Sequence, residues 1–230
     1  MKKSLSFFIS FLLLTGCASS VPHANLDQLN EYVGGQTMGD ATYFYWYTEY
    51  QNRPSHGADQ VLMGDSGWYQ TNYRWESGSV REVVREGMQL RNAQLVPYRV
   101  HVRFNQQGEA VYQQFRVDGK VLPLNLEQRS EYLQQAQQLV EMSKQQARQG
   151  WSLYQGVWDG QRLTSCSGGR FSHVLWPLTT PEHVMERLKT PHYVALLGRV
   201  SSTQLQVDSV LSVAEPDRDC MTQPVLIDAD

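Results

Sequence analysis

No apolar stretch of membrane-spanning length and no block of basic residues occurs in this 230-residue sequence. The apolar stretch at residues 5–14 is far shorter than the roughly 20 residues a transmembrane helix needs, so no segment is expected to cross a bilayer. Lys and Arg number 20 against 23 Asp and Glu, a formal net charge of −3; without a concentrated basic footprint, nucleic acid is set aside as a partner. No Gly-x-Ser-x-Gly elbow and no phosphate-cradling glycine loop is present. The six histidines are scattered; His183 and Glu186 stand one helical turn apart with His192 nearby, a spacing that chance supplies often, so no metal and no cofactor are expected. Cysteine is scarce: Cys17, Cys166 and Cys220.

What the sequence does contain begins at its amino terminus. Lys2 and Lys3 form a positive n-region, residues 5–14 an apolar h-region, and Thr15 and Gly16 the small residues that flank a cleavage point. In this order of residues the segment resembles a bacterial lipoprotein signal peptide, and Leu14-Thr15-Gly16-Cys17 resembles the lipobox that ends one. The resemblance implies that Cys17 carries diacylglycerol, that the chain is cut before it, and that the new amino group is acylated. Residues 1–16 would then be lost, leaving 214 residues with 18 basic and 23 acidic side chains. Each acyl methylene buried in lipid contributes about 0.8 kcal/mol, so several chains make a lasting membrane anchor.

With Cys17 committed to lipid, an even pair remains. In an oxidising envelope compartment Cys166 and Cys220 are expected to form a disulfide. The competing reading is a reactive thiol at Cys166, in Cys166-Ser167-Gly168-Gly169 and near His173, as the centre of a periplasmic hydrolase or thiol enzyme. Ser165 or Ser167 with His173 could also be drawn as part of a triad.

The chain divides by composition. Residues 17–25 read as a lipidated tether, and residues 26–125 as an antiparallel β-sheet domain opened by a short helix that Asn25 caps and Gly34-Gly35 stops. From residue 42 the apolar period becomes two. Residues 42–50 put aromatic rings on both faces of a strand; residues 68–75 alternate. Residues 80–86 read as a strand, although Ser79 and Glu82 would also suit a helical capping box. Residues 98–117 alternate most regularly, with Tyr98, Val100, Val102 and Phe104 against Arg99, His101, Arg103 and Asn105, and turn at Gln107-Gly108. Asp118-Gly119 turns the chain again, so residues 42–124 predict a meander of five or six strands.

Residues 126–149 contain no Gly or Pro and carry Tyr132, Ala136, Leu139 and Val140 on a narrow stripe, the pattern of a connecting amphipathic helix ended by Gly150. Residues 150–230 form a small β-rich domain: three strands, a short helix with Thr180 as cap and Pro181 at its first position, then a hairpin. Three strands, a helix and two strands is the order of a five-stranded OB-type barrel. The fold class is therefore α+β, mainly β: an antiparallel meander sheet, a long helix and a second β-barrel-like unit.

Two surfaces invite a functional reading. Arg99, His101, Arg103 and Arg116 form a row that could contact an anionic envelope polymer, or be a solvated sheet face. The rings of residues 43–50 could line a pocket for a sugar or lipid, or pack the core. By its length, its lipobox ending, and an aromatic β segment followed by a Gln-rich helix, the whole chain resembles the uncharacterised YjaH-like lipoproteins of Gram-negative bacteria. The resemblance implies a cell-envelope lipoprotein. Ala18, where an inner-membrane lipoprotein would carry Asp, implies sorting to the outer membrane. The function expected is that of a non-enzymatic binding or scaffold module on the periplasmic face, contacting the membrane through its anchor and an anionic polymer or envelope protein through its surface.

Overall fold

A computed structural model describes residues 29–227. The signal peptide, Cys17 and the tether lie outside the described residues. Eight strands form sheet A: β1 (Leu29–Met38), β2 (Ala41–Tyr50), β3 (Arg53–Leu62), β4 (Gly67–Glu76), β5 (Ser79–Arg91), β6 (Gln94–Phe104), β7 (Ala110–Val117) and β8 (Lys120–Leu122). They follow one another in sequence order, each antiparallel to the next. Two-residue turns that need positive φ, such as Asp118-Gly119 at 50° and 73°, match the twist of the strands they join.

Three expectations need correction here. The helix predicted after Asn25 is strand β1, and Gly34-Gly35 lies in its middle. A Cβ on Gly35 would fall 2.5 Å from the Tyr43 carbonyl oxygen and 2.8 Å from the Leu211 Cδ1, so the glycines permit close approach and do not stop the element. The polar stretch that becomes β3 is missing from the strands that the apolar period predicts. Its Pro54 sits beside a register shift at Thr48/Glu49, and its Gly57 lies under Trp75, whose ring a Cβ would meet at 3.0 Å. The meander over residues 42–124 therefore has seven strands, and β1 makes the eighth. Residues 80–86 belong to strand β5, as expected.

Helix α1 (Leu126–Arg148) crosses one face of this sheet. Asn125 accepts from the Gln128 backbone N–H at 2.8 Å, and the Gln128 side chain returns a bond to the Asn125 N–H at 3.0 Å, closing a capping box. Tyr132, Ala136 and Leu139 bury against Tyr45, Tyr47, Tyr73, Trp75, Val83, Val100, Val102 and Phe104. Near the end of the helix, Gln146 uses its side-chain amide like a strand. Its Nε2 donates to the Gly35 carbonyl at 2.8 Å and its Oε1 accepts from the Gly35 N–H at 3.2 Å. The exposed edge of β1 is thereby capped where it would otherwise template further pairing.

Six strands form sheet B: β9 (Ser152–Trp158), β10 (Leu163–Ser165), β11 (Arg170–Phe171), β12 (His173–Leu175), β13 (His192–Ser201) and β14 (Gln204–Ala214), with α2 (Glu182–Arg187) between β12 and β13. Their order is β11-β10-β9-β13-β14-β12. The single strand expected at residues 170–176 is split in two. Its first half pairs antiparallel with β10 and its second half parallel with β14, so the two halves carry the sheet to both of its ends and nearly close it into a barrel. That is the connectivity of an OB-type barrel. Helix α2 starts one residue later than expected, with Pro181 at the cap itself. The barrel interior holds Trp158, Leu163, Val194, Leu196, Leu205 and Val207.

A further core joins the sheets. Phe44, Trp46 and Ala58 from the face of sheet A opposite α1 pack against Tyr193, Ala195, Leu197 and Leu211 of sheet B, with Met221. The rings of β2 thus serve two cores, Tyr45 and Tyr47 on the α1 side and Phe44 and Trp46 on the other; packing, and not a pocket, accounts for their alternation. Replacing Gly35 with Ala should cost about 1–3 kcal/mol, because the Tyr43 backbone cannot retreat without breaking the β1–β2 ladder. Urea unfolding of the Gly35→Ala protein checks this, and an unchanged midpoint would contradict it.

Candidate functional site

Sheet A presents two faces of different chemistry. On the α1 side a charge lies out of water. Arg85 is 5% exposed; its Nε donates to the Thr71 Oγ1 at 2.8 Å, and its Nη2 to the Gln135 Oε1 at 2.6 Å and the Tyr73 hydroxyl at 3.3 Å. The guanidinium lies 3.9 Å from the Tyr69 ring centre and 4.9 Å from that of Tyr132. Tyr73 in turn donates to the Asp59 Oδ2 at 2.8 Å. Burial pushes the Asp59 carboxyl up, and nearby Arg85 opposes the rise. A second buried carboxylate, Glu49, accepts from Tyr32 and Tyr47 at 2.9 Å each and pairs with Lys144 of α1. Burial would raise its carboxyl, and the bonds from Lys144, Tyr47 and Tyr32 bring it below its usual range. These groups tie the helix to the sheet.

The opposite face is covered by sheet B over β1–β3 and by residues 222–227 over β4. This terminal segment has no regular structure, and side-chain amides hold it. Gln155 donates to the Met221 carbonyl at 2.6 Å and accepts from the Met221 N–H at 2.9 Å. Asn72 does the same further on, donating to the Pro224 carbonyl at 2.8 Å and accepting from the Leu226 N–H. Beyond the segment, the face over β5–β7 carries charge.

The structure places Arg99, His101 and Arg103 side by side on that face of β6, with Arg116 of β7 directly across from Arg99. They do not form a uniform cationic row. Glu82, whose side chain is only 4% exposed, accepts from the Arg103 Nε at 2.9 Å and the Arg74 Nη2 at 2.6 Å, and lies 2.7 Å from the His101 Nε2. Burial alone would raise its carboxyl; the bonds from Arg103, His101 and Arg74 outweigh that and hold it at about 2. Glu86 accepts from Arg99 at 2.9 Å. Arg116 has no carboxylate partner among the described residues, and stands exposed. Sequence reasoning missed Glu82 and Glu86 because they lie on β5, whose register against β6 no local pattern reveals.

Beside the arginines the face turns apolar. Trp68, Met88 and Pro97 line an open groove of about 380 Å³ that Glu86, Arg99 and Arg116 bound at one end. Ladder pairing sets Trp68 opposite Met88 and Met88 opposite Pro97.

Cys166 and Cys220 are bonded as expected, closing a separation of 54 residues and fastening the start of the terminal segment to the barrel. Cys166 is therefore not a free thiol. Ser165 and Ser167 share a hydrogen bond at 3.0 Å. His173 lies on the exposed edge strand β12, and among the described residues no hydrogen bond joins it to either serine. No trio of His, Cys, Asp or Glu is placed to hold a metal ion among the described residues. Among the same residues no helix is long and apolar enough to cross a membrane.

Fold and surface thus define a mainly β protein in which an open sheet, backed by a helix, is joined through a shared core to an OB-type barrel. The chain belongs to the DUF1481 family of proteins of unknown function, whose profile matches residues 33–225. The match spans both sheets. No curated protein and no solved structure matches the sequence at a significant level.

The Glu82 cluster makes a pH prediction. Its folded carboxyl is held at about 2 against an ordinary 4.5, so its contribution is complete above pH 4.5 and is lost as pH falls toward 2. Glu82→Gln should reduce stability at pH 7 by about 2–3 kcal/mol, and should flatten the fall in stability between pH 4.5 and 2. Urea titrations at pH 7, 4.5 and 3 check both; a variant with the wild-type acid slope would contradict the assignment.

Proposed function

We propose that this protein is a lipoprotein of the bacterial cell envelope, fastened to the outer membrane through Cys17 and facing the periplasm, where it acts as a non-enzymatic binding module. The observation that carries the reading is the Cys166–Cys220 disulfide. A structural disulfide suits an oxidising compartment, and it leaves Cys17 as the cysteine outside that pair, in the tetrapeptide that resembles a lipobox. Attachment through an amino-terminal lipid supports a module that works near a membrane surface. The resemblance to YjaH-like lipoproteins, together with Ala18, supports the outer-membrane assignment.

The binding surface is the part of sheet A that neither α1 nor sheet B covers. Arg103 and His101 are committed to Glu82, and Arg99 to Glu86; the face is a preorganised array of paired charges with one further cation, Arg116. An anionic envelope polymer or an envelope protein would be met by that array together with the apolar groove beside it. The thiol-enzyme reading has no support from a Cys166 that is already bonded.

Lipidation is tested by growing cells expressing the full chain with labelled palmitate and fractionating them. The wild-type protein should carry label and sediment with membranes, and Cys17→Ser should lose both. A wild-type chain without label, or one still beginning at Met1, would overturn the anchor and the compartment together.

A further inference from the structure

The groove on sheet A has chemistry that its neighbours do not complete. Arg99 and Arg116 are directly opposed across the β6–β7 ladder, and like charges in that position repel. Glu86 answers only one of them, and one oxygen of Glu86 is already used by Gln70 at 2.9 Å. A positive charge without a counter-charge among the described residues therefore stands at one end of the groove. The other end is apolar: Trp68 is 37% exposed, and the cross-strand pair Leu90 and Leu95 is 54% and 44% exposed. Ladder pairing puts these side chains on the same face as Met88 and Pro97, so the apolar lining of the groove is followed along the strands by Leu90 and Leu95. From Arg99 back to Leu95 is four strand residues, about 13 Å.

From this arrangement we propose that the groove binds a single anionic amphiphile, with a phosphate-type head on Arg116 and Arg99 and one acyl-length chain lying along Met88, Trp68 and Pro97 toward Leu90 and Leu95. Guanidinium groups match the geometry of phosphate oxygens and can bind them in pairs. Planar arginine heads and a half-exposed indole suit the boundary between a charged head and its chain. The strip is concave at Met88 and as long as a medium acyl chain, and this favours one bound molecule over a membrane surface. The proposal rests on the binding-module reading and assigns the groove end of its surface a small anionic amphiphile in place of a polymer or protein.

Calorimetric titration of the full chain carrying Cys17→Ser with monomeric dodecyl phosphate tests it. Saturable binding near one molecule per chain is expected. Arg116→Gln should weaken it roughly tenfold or more, whereas Arg116→Lys should retain most of the affinity. Inorganic phosphate should bind far more weakly, and dodecyl maltoside should be bound no differently by Arg116→Gln and its parent. Since Arg116 is exposed, Arg116→Lys should keep the parent's unfolding midpoint, and Arg116→Gln, which relieves the repulsion from Arg99, should not lower it. No saturable binding of dodecyl phosphate, equal binding by Arg116→Gln, equal binding of inorganic phosphate, or binding only to anionic vesicles would overturn the proposal. The anchor is judged separately: palmitate label without dodecyl phosphate binding rejects this ligand alone, and binding without label rejects the anchor alone.

Discussion

A guanidinium held out of water between sheet and helix is the interaction on which the arrangement of this protein depends. Arg85 reaches from β5 to Thr71 and Tyr73 on β4 and to Gln135 on α1, with the ring centres of Tyr69 and Tyr132 at 3.9 and 4.9 Å. An isolated buried charge would cost several kcal/mol, so the group is tolerated only because Asp59 and the surrounding hydroxyls answer it. That requirement fixes which residues of α1 face the sheet, since Tyr132 and Gln135 must both meet the guanidinium. With the helix committed to this face, the opposite face of the sheet is left for sheet B and the terminal segment to cover in part.

The partial cover is what gives the molecule a surface to use. Over β1–β3 the sheets share a core of Phe44, Trp46, Tyr193 and Leu197. Over β4 the cover thins to one extended segment, fastened by the disulfide at Cys220 and by the amides of Gln155 and Asn72. Beyond it the charged residues of β5–β7 are held by one another and by Arg74 and Gln70 of β4. Glu82 is held by two guanidinium groups and the His101 ring, and the same packing that shields its carboxylate fixes Arg74, His101 and Arg103 in place. Arg116 lies outside this network, next to the apolar strip.

Much of this was legible in the sequence where one local signal controlled the outcome. The alternation of Tyr98, Val100 and Val102 with Arg99, His101 and Arg103 marks β6 because only one of its faces meets the core. The Gly- and Pro-free run after Asn125 marks α1, and Cys166 and Cys220 are the pair that an exported reading of the chain expects to be bonded. The succession of strands, helix and hairpin in the carboxyl-terminal half is readable as that of an OB-type barrel, whereas the division of its third strand between β10 and β14 is not. What was hidden depends on partners distant in sequence. Gly34 and Gly35 look like a stop until Gln146, Tyr43 and Leu211 are seen to press on them. Pro54, Gly57 and Asp59 disguise β3, although each answers a neighbour: a bulge, the Trp75 ring, and the Tyr73 hydroxyl beside Arg85. The arginine row was visible, but its neutralisation by Glu82 and Glu86 depends on the β5–β6 register.

The dependence on Arg85 is most directly tested by a double-mutant cycle. Arg85→Met and Asp59→Leu, singly and together, would be compared by urea unfolding of the full chain. If the buried charges answer one another, each single change costs several kcal/mol and the double costs less than their sum by more than about 1 kcal/mol. If the two losses add within about 0.5 kcal/mol, Arg85 and Asp59 are independent, and the account of how the helix is fixed to the sheet is wrong.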